Sequence, residues 1–308
     1  MANKDKPIRI DRAKAETQAK NAMKAIHNAG VIKSVGTFRD YKACLTAFTQ
    51  FIKDTKQGDL RHTTREIAEQ YLHARSTELA QKTLDMHRQA IQAFFVARGD
   101  MTKTEHLEIV KSAVETVLEH RAYTPAQVER VAAAQTELNA FSTRLAYACG
   151  LRAHELLTIR PLSEQPADVR HYENGEVKSL ETKWQGRAEG VPYSVVGKGG
   201  LIREVRVPEH LACELETHRL ETPKEVTDRG VRYQSHYDLA GGKSWSNSFS
   251  AASTRALGWS TGAHGLRHSY AQERMVELQR SCMYSQALET VSQEMGHFRE
   301  DITTTYLR

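Results

Sequence analysis

From Thr37 onward, apolar side chains return at steps of three and four. Cys44, Leu45, Phe48, Phe51 and Ile52 follow Thr37-Phe38-Arg39-Asp40-Tyr41 on one face, and the spacing predicts an amphipathic helix. The same period predicts a second helix from about Thr64 to Ala74, with Ile67, Ala68 and Tyr71 inward, and a third from Gln81 to Arg98 carrying Leu84, His87, Ile91, Phe94 and Phe95. Short polar turns between them imply a small helical bundle, closed by Gly99-Asp100. The polar stretch to about Arg121 reads as a helix or a linker. Thr124-Pro125 then gives a helix start, with a capping hydroxyl and a proline at the first helical position, and helices run to Ile159. The period changes to two around Tyr193–Val196 and Leu201–Val207, which predict strands flanking a glycine-rich turn. Pro161 to Gly190 has no clear period and reads as a loop-rich insertion with room for one strand. The remainder reads as mainly helical, with no internal repeat or low-complexity tract.

A chain of 308 residues is long for one core, so two domains are expected. The composition is that of an ordinary globular protein, with no apolar run long enough for a bilayer, so no membrane partner is expected. The opening MANKDKPIRIDRAKAETQAK lacks the apolar middle of a secretory signal, which places the protein in the cytoplasm. Cys44, Cys149, Cys213 and Cys282 are far apart without CxxC spacing, so reduced thiols are expected rather than disulfides or zinc. A net charge of +5 leans only weakly towards polyanionic partners, because a placed basic patch matters more than a total.

The informative cations stand where a helix start prefers acids. Gly150 closes one helix, and a new one is expected at once, which puts Arg152 of Gly150-Leu151-Arg152-Ala153-His154-Glu155-Leu156-Leu157 in or near its first turn. An outside anion on the free N–H groups there makes the arginine sensible, and pairing with Glu155 on the surface is the bland alternative. His264-Gly265-Leu266-Arg267-His268 repeats the oddity, with His264 and Arg267 three apart on one face. A metal on His264 and His268 lacks the carboxylate or cysteine that completes a ligand set, and a second phosphate-facing cluster explains the group better. Gly197-Lys198-Gly199-Gly200 tips the hairpin and presents Lys198, although such a turn alone is common. Val291 to Met295 ends a helix at Gly296, His297 follows, and Arg299 to Tyr306 reads as a short last helix with Ile302 and Tyr306 on one face. Taken alone, such a tyrosine is more often a packing residue than a nucleophile.

Together these segments resemble the tyrosine recombinase, or phage integrase, family from about Val31 to the end. The first arginine box of that family resembles Gly150 to Leu157, and its hairpin lysine falls on Lys198, with Arg203 to Pro208 in the following strand. Its His-x-x-Arg-His box resembles His264 to His268, and its closing Gly-His and Tyr resemble Gly296-His297 and Tyr306. The ordered conjunction carries the resemblance. It implies a mainly α fold with a small antiparallel β-sheet: a helical (SAM-like) core-binding domain and an α+β catalytic domain, closing on DNA as a C-shaped clamp. The expected division is a basic tail over 1–30, the core-binding domain over 31–105, a linker over 106–122 and the catalytic domain over 123–308. Three features depart from the pattern. The chain stops just after Tyr306, where many relatives continue into a segment that packs on a neighbour. Pro161 to Gly190 exceeds the usual link, and no arm-binding domain precedes residue 31.

The resemblance implies site-specific cleavage and rejoining of double-stranded DNA through a 3′-phosphotyrosine, for integration or excision of a mobile element. By it, Arg152 and Arg267 clamp the phosphate, His264 and His297 bind it or move protons, Lys198 is the general acid and Tyr306 attacks. Glu155 braces the site and His268 stands behind it. Fixed guanidiniums can balance transition-state charge, and the phosphotyrosine keeps the energy of the broken link, so neither cofactor nor metal is implied. Expected partners are specific recombination sites, further copies of a solution monomer forming dimers or tetramers on DNA in the nucleoid, and an accessory directionality factor. Two other readings keep the fold: a catalytically silent DNA-binding relative, separated by binding without a covalent product, and a type IB topoisomerase-like enzyme, separated by relaxation of a plasmid that lacks a specific site.

Overall fold

The structure, a computed structural model, describes residues 13–32, 35–115, 119–169, 171, 180–297 and 300–307. It divides into two units, Met1–Val117 and Leu118–Arg308.

In the first unit, helices α1 (Ala15–Asn28), α2 (Val35–Asp54), α3 (Arg65–Arg75) and α4 (Gln81–Arg98) enclose one apolar core. The expected period is met in α2 by buried Cys44, Leu45, Phe48 and Ile52, each fully buried large apolar side chain contributing about 1.5–3 kcal/mol. Thr64 caps α3 through its hydroxyl, and Gly99 ends α4 in the left-handed conformation. α1 corrects the expectation of a tail over 1–30. It buries Ala19, Ala22, Met23 and Ile26 against α2 and α4, and half of its inward face is alanine, so its apolar stripe is faint among charged neighbours. Leu107 and Val110 join this core, so that part of the stretch left open as helix or linker is a non-helical strap on the first unit.

The second unit opens with α5 (Pro125–Ala133), started by a capping box in which Thr124 and Gln127 satisfy each other's backbone N–H groups. It continues with α6 (Glu137–Cys149), β1 (Arg160–Pro161), β2 (Val191–Val196), β3 (Ile202–Val207) and α7 (Glu209–Thr217). Next come β4 (Arg219–Asp228), β5 (Val231–Tyr237), α8 (Gly242–Leu257), α9 (Gly265–Leu278), α10 (Tyr284–Glu294) and α11 (Glu300–Thr304). Strands β1-β2-β3 form one antiparallel sheet, with Arg160 opposite Ser194 and Val195 opposite Arg203. The alternation of β3 turns Arg203, Val205 and Val207 inward, onto a core that includes Phe141, Leu145, Trp245, Phe249 and Leu266.

Three expectations for this unit are corrected. Arg152 does not lie in the first turn of an α-helix: beyond Gly150 comes a turn and a single 3-10 turn over Glu155–Leu157, because the Glu155 carboxylate takes the Arg152 backbone N–H at 2.8 Å. The region after Val207 is mainly helical as expected, but β4 and β5 add a separate two-stranded ribbon that was not. The exposure of β4 leaves no alternating apolar signal to read. Tyr306 stands in a turn beyond α11 rather than within it, its N–H bonded to Thr303 O at 2.9 Å. In the region of the expected insertion, 162–169 and 180–190 carry no strand, and 172–179 lie outside the described residues.

Candidate active site

α6 must stop before the chain can turn back to β1, and Gly150 does this at φ +58°. A side chain there would be strained and would also meet the Tyr270 ring at 2.7 Å, so the glycine serves both the turn and the close approach of α9. The turn delivers Arg152 and Glu155. Glu155 is fully buried and accepts from Arg152 Nη1 (2.6 Å) through Oε1 and from Arg203 Nη2 (2.7 Å) through Oε2, with Arg267 Nη1 3.8 Å from Oε2. Burial opposes its ionisation, but Arg203, Arg267 and Arg152 outweigh that and hold the carboxyl well below the usual carboxylate range. The pairing of Arg152 with Glu155 is therefore real, but its acid is interior rather than on the surface.

α9 brings the second cluster to the same place. Arg267 is fully buried, donates to Gly150 O and Met295 O, and lies 3.2 Å from His297 Nε2. Desolvation, followed by the Arg152 charge, lowers its pKa to about 10, so it stays cationic near neutrality. His297 follows the Gly296 turn after α10, and its Nδ1 lies 2.8 Å from Thr303 Oγ1. Desolvation and then Arg267 push His297 down to about 3.

Tyr306 closes the group. Its hydroxyl lies 3.0 Å from His264 Nε2, and its ring centroid is 5.3 Å from His264, 4.7 Å from His268 and 5.1 Å from His297. The Arg267 guanidinium carbon stands 5.6 Å from the ring centroid, within cation–π range. The ring is 8% exposed and borders the apolar cluster of Tyr270, Met275, Val291 and Met295, so Tyr306 also packs, but its oxygen meets the imidazole rather than that cluster. Part of His264 meets solvent, yet the atoms crowded around it exclude enough water that desolvation, then Arg267, lowers it to about 3. Desolvation and then Arg121 bring His268 to about 4. The imidazoles of His264, His268 and His297 are thus neutral at physiological pH. His264 and His268 stand edge to face with centroids 5.8 Å apart, and among the described residues no three His, Cys, Asp or Glu side chains are grouped to hold a metal.

Of the residues singled out in the sequence, Arg152, Glu155, His264, Arg267, His268, His297 and Tyr306 converge here. Lys198 is exposed at the tip of the β2–β3 hairpin and forms no hydrogen bond or ion pair with them, although the root of its hairpin touches the cluster. A Cβ on Gly197 would sit 3.4 Å from Glu155 Oε1 and 3.7 Å from Arg152 Nη1. Two contributors escaped the sequence motifs. Arg203 is buried in the centre, and its signal was an arginine in phase with Val205 and Val207 on the inward face of a strand. Arg121 bears on His264 and His268 through charge, with no sequence signal.

No protein-family model matches the chain, and no curated protein is similar to it. Solved structures do match. XerH site-specific recombinase bound to palindromic difH substrate, in a post-cleavage complex, is 13% identical with a TM-score of 0.60, over 97% of this chain and 94% of that one. The Tn1549 transposon integrase in complex with transposon right end DNA is 14% identical with a TM-score of 0.56, over 94% of each chain. A lambda integrase tetramer bound to a Holliday junction is 16% identical with a TM-score of 0.57, over 99% of this chain and 82% of that one. At such identities the likeness speaks for architecture, and it extends across both units: the chain has the tyrosine recombinase fold.

Proposed function

We propose that the protein is a site-specific DNA strand transferase that cuts and rejoins DNA through a covalent bond between Tyr306 and a 3′ phosphate. The observation that carries this reading is the phenol of Tyr306 held 3.0 Å from His264 Nε2 beside buried Arg267. A free phenol ionises near pH 10, so attack near neutrality needs a proton acceptor within hydrogen-bond reach, and His264 Nε2 stands there; a phosphate anion bound beside it offsets the surrounding cations that depress its basicity. Tyr306 Oη attacks phosphorus as its proton passes to His264, the P–O5′ bond breaks, and Lys198 protonates the departing oxygen. Arg152 and Arg267 meet the charge that grows on the non-bridging oxygens, and His297, whose Nε2 faces the Arg267 Nη2 donor, holds that guanidinium in place. Among its side-chain hydrogen bonds, Arg152 makes one through Nη1 to Glu155 and keeps its remaining donors for a substrate. Glu155 orients the arginines and His268 packs behind the phenol. The reverse sequence reseals the strand, and the residues named need no metal for either direction.

The DNA-bound recombinase and integrases of like fold support DNA as partner, assembly as a tetramer, and a role in integrating or excising a mobile element. The test is a pool of nicked duplexes with randomised cores. Detergent-stable protein–DNA adducts are expected from the unaltered protein and none from Tyr306→Phe. Salt-sensitive binding without adduct would instead make the protein a DNA-binding relative that no longer turns over.

A further inference from the structure

Arg203 reaches three acceptors at once. It donates Nη2 to Glu155 Oε2 at 2.7 Å and to Gly150 O at 3.3 Å, and Nη1 to Glu294 O at 2.6 Å. The first two are atoms that Arg267 also addresses, Gly150 O by a hydrogen bond and Glu155 Oε2 at 3.8 Å. Arg203 is on β3, opposite Val195 of β2, and these strands carry Lys198 at their shared tip, where Gly197 N bonds Leu201 O at 2.7 Å. The other ties of the hairpin run to backbone and to a loop rather than to the arginine side chains: Asp168 brackets Ile202 through Asp168 N to Ile202 O (2.9 Å) and Ile202 N to Asp168 Oδ2 (2.7 Å), and Thr158 Oγ1 donates to Glu155 O (3.1 Å). β1 pairs over two residues only, and beyond it Val196 N bonds Thr158 Oγ1 at 3.0 Å. Sharing a carboxylate and a carbonyl between Arg203 and Arg267 links the hairpin directly to the guanidinium groups.

We infer that Arg203 is a positioning residue which, on the function proposed above, holds the hairpin bearing Lys198 in register with the Arg152 and Arg267 pair. It touches no substrate. Its effect is exerted through Lys198, so it belongs to the step in which the departing O5′ takes a proton. A chemical change in the substrate isolates that step. When sulfur replaces the bridging O5′, the P–S bond breaks and the thiolate leaves without needing a proton, so a misplaced general acid ceases to matter.

Cleavage of ordinary and 5′-bridging phosphorothiolate DNA is therefore compared for the unaltered protein, Arg203→Met, Arg203→Lys and Lys198→Ala, each checked for folding by circular dichroism. Arg203→Met is expected to cut ordinary DNA about tenfold or more slowly and to recover to within about threefold of the unaltered protein on the sulfur substrate, as Lys198→Ala does. Equal slowing of Arg203→Met on both substrates overturns the inference, because the residue would then act on the clamp or on folding. Where Arg203→Met does not fold, Arg203→Lys decides by the same criterion. Failure of Lys198→Ala to recover takes the acid role from Lys198 and removes the inference, whereas no cleavage by the unaltered protein removes the proposed function as well.

Discussion

The two units bury different things. The first closes on apolar side chains such as Met23, Phe48, Ile91 and Phe95, and among the described residues its buried carboxylate and imidazole groups are Asp59 and His87. The second buries Glu155, Arg203, Arg267, Arg274 and Glu294, together with His268 and His297. Taking a charge out of water costs several kcal/mol unless partners return it, and an apolar interior of similar volume would often be as stable. The first unit therefore spends its sequence on stability. The second holds cations away from water beside Tyr306, where an anion brought to them would be stabilised more strongly than in a solvated setting.

Acid should separate the units most widely. His268 and His297 are held near 4 and 3, so in the folded state they resist protons that the unfolded chain binds below about pH 6.5. Each contribution is complete above that pH and is lost as pH falls through the window, about 3 kcal/mol apiece by pH 4. The first unit carries one such group, His87, lowered to about 4 by burial beside Tyr71. Trp184, Trp245 and Trp259 are all in the second unit, so tryptophan fluorescence should report an acid transition at higher pH than the helical signal of the first. Coincident transitions, or the first unit unfolding first, would erase the contrast.

Arg274 offers a sharper cut. It pairs with both oxygens of buried Glu294 and with Gln185 O, so Arg274→Ala strands a charge and should destabilise the second unit by about 3–5 kcal/mol in denaturant titration. A loss below 1 kcal/mol would mean that this interior is wetter than described. At the small end, Thr124→Ala removes the α5 cap and should cost about 1 kcal/mol while cleavage per folded molecule stays unchanged.

The same contrast explains what the sequence disclosed. Large apolar residues at helical spacing made α2, α3 and α4 readable almost to their ends, with Gly99 marking the last. The alanine face of α1 and the exposed strands β4 and β5 offer no such contrast, and partners distant in sequence decide them. In the site, ordered motifs brought Arg152, Glu155, His264, Arg267, His268, His297 and Tyr306 into view. That Glu155 braces the site was implied, but no pattern says that one carboxylate will gather three guanidiniums, and the part of Arg203 was hidden with it.

The most direct measurement is to digest the protein after reaction with nicked duplex DNA and locate the nucleotide-bearing peptide by mass spectrometry. The account predicts a single linkage, on the Tyr306 oxygen through a 3′ phosphate. A nucleotide on any other side chain, or on the 5′ end of the broken strand, would contradict it.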